Sequence, residues 1–363
     1  MWLISAVVVA LLMMIGGSAS AASSPDPRVR AGATLYAQYC VPCHGPERTG
    51  YAADNAPSLV SPTFRETADD AFLRSAIERG RAGTAMGGYG SQFGGPLVPF
   101  EINEIIVYLR DGTVPAPLPA KPSAGSISNG QRVYRTHCES CHGTPEQRGN
   151  AVHLANPMFL ETASDAFVRA AVVRGRPGTP MEAWGPKLSP QQIEDVVAYI
   201  RSLARAVPPP PLAGPGTLLP LDGVPIVINP GGAQANFTLR DGQYVSVADL
   251  AKAYEQKKRL VIVDARTVPD YLRLHIAGAI SIPYFNMRDI DKVPNDGTWV
   301  VTYCACPHHV SGIVMEEFRK RGYANSAVLD EGIFAWQLQG YPTTAASGQL
   351  PIAAPPPNPA AAR

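Results

Sequence analysis

The spacing of apolar residues divides this chain into two kinds of territory. Up to about residue 206 the apolar positions recur at helical spacing, which predicts helices over 69–78, 102–109, 165–173 and 193–203. Ser189 followed by Pro190 supplies an N-cap and a first-turn proline for the last of these. Gly-, Pro- and Asn-rich loops run between them. Beyond residue 221 the runs shorten. Those at 225–229, 244–247, 260–264, 299–303 and 327–329 predict strands, with helices over 247–256, 311–322 and 332–339. Strands alternating with helices predict a parallel α/β domain.

The helical territory is a repeat. Gly32, Tyr36, Cys40, Cys43, His44 and Gly45 recur at the same spacing as Gly130, Tyr134, Cys138, Cys141, His142 and Gly143. The stretch 64–72 recurs as 159–167, 79–86 as 174–181, and 102–110 as 193–201. Two copies of one small domain explain the order. The boundaries read as 28–112 and 124–206 for the copies, with a Pro-rich linker at 113–123 and a second at 207–220. The α/β domain follows at 221–345, then a Pro/Ala-rich tail at 346–363 that is expected to be disordered.

Composition narrows the function. Charged residues make up 17% of the 363, and the net charge is +1, which argues against a nucleic-acid partner. The apolar run from Trp2 to Ile15 precedes Ala19-Ser20-Ala21, so residues 1–22 read as a secretory signal, although no Lys or Arg precedes the run. The run is short of the roughly 20 residues that a membrane-spanning helix needs. The expectation is an exported, periplasmic protein without a stable membrane span.

Four of the six cysteines fall in two C-x-x-C-H motifs, Cys40 to His44 and Cys138 to His142. The spacing lets two thiols add to the two vinyl groups of a haem while the following imidazole reaches its iron. A zinc site would need further ligand pairs that the copies lack. Over about 29–110 and 127–203 both copies resemble monohaem cytochrome c. The resemblance implies two covalently bound haem c groups, with His44 and His142 as proximal ligands and Met86 and Met181 as distal ones. Met181 stands in Gly178-Thr179-Pro180-Met181, whereas Met86 follows Thr84-Ala85, a mild departure. Met158 and His153 are rivals for the second site. Ligation by His and Met fills both axial positions, which suits electron transfer to or from a soluble or membrane-bound partner protein.

Residues 243–342 resemble a rhodanese (sulfurtransferase) domain. The carrying residues are Val263-Asp264-Ala265-Arg266, His275-Ile276-Ala277-Gly278-Ala279-Ile280, Tyr303-Cys304, and Glu331-Gly332 with Trp336 and Gly340-Tyr341-Pro342. The fold class is thus multidomain: two small all-α cytochrome c domains and one α/β rhodanese-like domain. The resemblance implies a nucleophile at Cys304, after the central strand. A cysteine in a strand-to-helix loop meets backbone N–H groups and a helix N-terminus, both favourable to a thiolate. The loop departs from the family, reading Cys304-Ala305-Cys306-Pro307-His308-His309. Cys306 could resolve a persulfide on Cys304, with His308 supplying positive charge for a small sulfur anion. The two cysteines could instead bind a metal with His308 or His309, or the domain could be an inactive docking module. Asp264, Arg266 and His275 read as structural. The expected function is electron transfer coupled to sulfide, persulfide or thiosulfate handling at Cys304. The alternative is a plain dihaem carrier with a docking or sensing domain.

Overall fold

The computed structural model describes residues 26–50, 56–206, 219–305 and 308–345. The signal segment 1–22, most of the second linker, the tail 346–363 and Cys306 lie outside the described residues. Copy one consists of α1 (Pro27–Tyr39), α2 (Val41–His44), α3 (Pro62–Thr67), α4 (Asp70–Arg79) and α5 (Pro99–Arg110). Copy two repeats them as α6 (Ile127–His137), α7 (Glu139–His142), α8 (Pro157–Thr162), α9 (Asp165–Arg174) and α10 (Pro190–Ser202).

The repeat motif has a packing explanation. Gly32 on α1 and Gly130 on α6 lie where a β-carbon would collide with the Glu104 carbonyl on α5 and the Asp195 carbonyl on α10. Glycine therefore lets the first and last helices of each copy touch backbone to backbone. One turn on, Tyr36 and Tyr134 are buried, and each donates its hydroxyl over 2.8 Å to the carbonyl that follows the C-x-x-C-H histidine, on Gly45 and Gly143. The helices over 69–78 and 165–173 form as α4 and α9, capped by Asp69 and Ser164. Ser189 and Gln192 make a reciprocal capping box on α10.

The copies share one hydrophobic core. Phe72 stacks on Phe167 with centroids 4.8 Å apart, and Arg81 and Arg176 lie over these two rings. Thr63 donates to the Gly175 carbonyl over 2.6 Å, and Ala82 N–H donates to Met158 Sδ over 3.1 Å. Met158, the rival ligand, thus serves the seam between copies. His153 donates from Nε2 to the Thr144 carbonyl over 2.9 Å.

The α/β domain contains β1 (Tyr244–Val245), α11 (Val247–Glu255), β2 (Leu260–Asp264), α12 (Val268–Arg273), β3 (His275–Ile276), β4 (Ile280–Ser281), β5 (Trp299–Tyr303), α13 (His309–Lys320), β6 (Ser326–Leu329), α14 (Gly332–Leu338) and β7 (Thr343–Thr344). Five strands form a parallel sheet in the order β1-β6-β5-β2-β4, and β3 pairs with β7 apart from it. Strands β2 and β5 are central and almost wholly apolar and buried, as expected of a sheet covered on both faces. The run 225–229 does not become a strand. Ile228 makes a single bridge to Leu260, because Pro225 and Pro230 limit its pairing.

Candidate functional site

In each copy the C-x-x-C-H motif occupies a one-turn helix, α2 or α7, with its first cysteine as the N-cap. Cysteines three apart on such a turn face the same side. His44 Nδ1 donates to the Pro57 carbonyl over 3.2 Å, and His142 Nδ1 donates to the Val152 carbonyl over 2.7 Å. A carbonyl can only accept, so each bond fixes the tautomer and makes Nε2 the lone-pair nitrogen. Burial pushes the Cys40 thiol up to about 12 and the Cys138 thiol up to about 11, so both stay protonated at neutral pH. Arg48 Nε and Arg148 Nε, in the loops after the motifs, are buried without a hydrogen-bond partner among the described residues. Paired thiols and an oriented imidazole are a donor set that fits haem c, and the unpartnered Nε of Arg148 and of Arg48, whose Nη1 already donates to the Tyr108 carbonyl, leave a donor near each motif.

Met86 and Met181 sit in matching loops. The Met86 carbonyl accepts from Arg81 N and the Met181 carbonyl from Arg176 N, each over 2.8 Å. Thr84 and Thr179 each accept from the methionine N–H two residues on. Ala85 in place of a proline leaves this hydrogen-bond pattern unchanged.

Cys304 lies directly after β5, buried at 1% exposure. Ser311, in the first turn of α13, donates its hydroxyl to Cys304 Sγ over 3.2 Å. The Cys304 carbonyl accepts from Ile333 N, close against Gly332, whose φ of +69° and missing side chain allow the approach. Arg266 pairs with Asp264 through Nη2 over 2.7 Å, and Tyr303 donates to the same carboxylate over 2.7 Å. Burial opposes the Arg266 charge, but the Asp264 carboxylate outweighs it and holds its pKa above the usual value. His275 donates from Nδ1 to the Tyr271 carbonyl and stacks on the Tyr271 ring. These contacts tie β2 to β5 and α12 to β3, and Arg266 also lines the cleft at Cys304.

His308 points elsewhere than expected. It has a φ of +75°, caps α13, stacks on Tyr244 and bonds through Nε2 to Asp330 over 2.6 Å. Burial raises the Asp330 pKa, but Arg240 and His308 overcome this and hold it below the usual carboxylate value. Among the described residues no three His, Cys, Asp or Glu side chains converge as a metal site.

Copy one presses against this domain, a contact the apolar pattern does not announce. Cys43, Gly87 and Tyr89 line one cleft together with Asp270, Tyr284 and Cys304. Tyr284 donates to the Tyr39 carbonyl over 2.8 Å, so the Tyr89 hydroxyl 3.1 Å away must donate to Tyr284. Arg273 donates to the Arg79 carbonyl over 3.0 Å.

Comparison with known proteins agrees with this division. Residues 27–109 and 125–200 match the family of cytochrome c oxidase, cbb3-type, subunit III, and residues 246–339 match the rhodanese-like domain family. A cbb3-type cytochrome c oxidase subunit FixP of Azorhizobium caulinodans is 29% identical over 47% of this chain, which spans 58% of that protein. Cytochrome c6 of Gloeothece citriformis is 32% identical over 21% of this chain and 71% of its own length. A solved rhodanese-like domain from Anabaena sp. is 22% identical with a TM-score of 0.28, covering 31% of this chain and 86% of that one. Among the described residues no helix is long and apolar enough to cross a membrane. Paired C-x-x-C-H helices, matched methionine loops and a central strand leading into Cys304 thus place the chain among the c-type cytochromes, as two cytochrome c domains followed by a rhodanese-like domain.

Proposed function

We propose that this is an exported, periplasmic electron-transfer protein with two haem c groups that couples oxidation of a small sulfur species at Cys304 to transfer of electrons to a partner redox protein. One observation carries the reading: Cys304 and the C-x-x-C-H residue Cys43 line the same cleft. In copy one, Cys40 and Cys43 would hold the haem, with His44 and Met86 as axial ligands. In copy two, Cys138 and Cys141 would do so, with His142 and Met181. Bound haem c would supply each copy with a one-electron carrier, and His and Met as its ligands would leave no position for substrate. Substrate chemistry therefore belongs to Cys304.

The cleft suits hydrosulfide better than thiosulfate. Arg266 is the only cationic side chain lining it among the described residues, and Asp264 already neutralises that charge. Asp270 also lines the cleft but is paired with Arg273, so the cleft offers no unpaired positive charge to a dianion. Ser311 stabilises charge on the Cys304 sulfur through its hydroxyl. His308 is engaged by Asp330, so its part is to hold the loop rather than to bind the anion. Cys306 would serve as the resolving thiol.

Stopped-flow spectroscopy tests the reading. Hydrosulfide should reduce the haems of the wild type faster than thiosulfate does, and Cys304→Ser should lose most of that rate. Equal rates in the two proteins would overturn the coupling and leave an electron carrier with a docking domain.

A further inference from the structure

The two copies differ where it matters for Cys304. In the repeat, Gly87 and Tyr89 of copy one correspond to Glu182 and Trp184 of copy two. Tyr89 N–H donates to the Ile77 carbonyl, and Trp184 N–H to the matching Val172 carbonyl, so the loops share one backbone path. Their surroundings diverge. A β-carbon on Gly87 would stand 2.6 Å from Asp270 Oδ2 and 3.1 Å from Thr267, so a side chain here would have to push aside the Asp270 carboxylate that Thr267 holds. Glu182 instead pairs with Lys187 at the half-exposed surface of copy two. Tyr39 packs on Tyr89 and on Phe285 of the α/β domain, whereas its counterpart His137 packs on Trp184 within copy two.

We infer that copy one, and not copy two, is the immediate electron acceptor of Cys304, so that the domains form a line from sulfur site to copy one to copy two. The inference rests on the sulfur-oxidising reading above and names its route. Ala85 and Gly87, on either side of Met86, and Cys43 all line the cleft that holds Cys304. Copy two meets copy one across the Phe72–Phe167 seam. The chemistry balances with one-electron acceptors. Hydrosulfide and the Cys304 thiol form one S–S bond, giving a persulfide anion. Two S–H bonds break, two protons go to solvent, and two electrons leave one at a time. The oxidised haems of the two copies are the acceptors by class, and each takes one electron.

Proximity can be read without turnover. The holoprotein is made with cysteine carrying 13C at Cβ, and the Cys304 resonance is assigned by its absence in Cys304→Ser. Ferric haem is paramagnetic and broadens nearby nuclei, whereas low-spin ferrous haem does not. The Cys304 line should be broad in the oxidised protein and sharpen on reduction. It should stay broad when Cys138→Ala and Cys141→Ala remove the second haem, and lose its redox dependence when Cys40→Ala and Cys43→Ala remove the first. Should the last variant fail to fold, Met86→His and Met181→His decide, because imidazole ligation lowers the potential of one haem at a time. The redox midpoint of the linewidth should move with Met86→His and not with Met181→His. A line without redox dependence, or one that follows Met181→His, would overturn the assignment. Failure of hydrosulfide to reduce the haems would defeat the sulfur reading alone and leave the linewidth result intact.

Discussion

Copy one and copy two have the same helices, the same buried tyrosine bond and the same methionine loop, yet different neighbours. Copy one lies between the α/β domain and copy two. In copy two, Cys141 is exposed, and Trp184 meets His137 and Lys187 of its own copy. What the copies share belongs to haem binding and internal packing. What they do not share marks the docking face: Gly87 against Glu182, Tyr89 against Trp184, Tyr39 against His137.

The strongest way to break this comparison is to give copy one the residue of copy two. Gly87→Glu sets a side chain and a second carboxylate against Asp270 and should cost about 3 kcal/mol or more in domain docking. Small-angle scattering should show the α/β domain released. The reverse change, Glu182→Gly, removes a surface pair and should alter stability by no more than about 0.5 kcal/mol. Equal effects would remove the asymmetry.

Shared features should fail alike. Gly32→Ala and Gly130→Ala each force a methyl group into a facing helix carbonyl and should each cost about 1–3 kcal/mol in thermal denaturation. A large difference between them would mean that the two helix crossings are not equivalent.

A smaller effect sharpens the interface. Tyr284→Phe removes the bond to the Tyr39 carbonyl and the acceptor for Tyr89, which should weaken docking by about 1–2 kcal/mol. Protease sensitivity of the junction between copy one and the α/β domain should rise, while the seam between the copies stays protected.

The smallest expected effect lies outside both copies and serves as a control. Burial lowers the His275 pKa from its ordinary value, although its bond to the Tyr271 carbonyl acts the other way. The folded state then binds fewer protons than the unfolded state below the unfolded pKa of about 6.5. The stability from neutral His275 is full above that pH and declines as pH falls through it toward the lower folded value. The melting temperature of the α/β domain should drop with acidification over that window, and His275→Gln should flatten the slope.

Much of this was legible in the sequence because it is local or repeated. The late helices and the central strands 260–264 and 299–303 follow from short-range spacing, the paired C-x-x-C-H motifs stand out through the repeat, and the methionine loops come from the repeat together with the cytochrome c resemblance. Helices α1 and α6 are less visible, since their buried stripe is narrow: Gly32 with Tyr36 in α1, and Gly130 with Val133 and Tyr134 in α6. The partner of His308 was hidden because Asp330 follows a separate strand and meets it only once β6 pairs with β5. The docking of copy one on Cys304 has no periodic signature. Its signal was the break in the repeat at Gly87, which reads as an ordinary loop glycine until Asp270 is beside it.

The most direct measurement is rapid-freeze electron paramagnetic resonance of the oxidised protein mixed with hydrosulfide, with Met86→His and Met181→His used to assign each ferric signal to its copy. The account predicts that removing the first haem with Cys40→Ala and Cys43→Ala strongly slows loss of the copy-two signal, that removing the second with Cys138→Ala and Cys141→Ala leaves the copy-one signal open to reduction, and that neither signal falls at the wild-type rate in Cys304→Ser. Loss of the copy-two signal at the wild-type rate without the first haem, or an unchanged rate in Cys304→Ser, would contradict it.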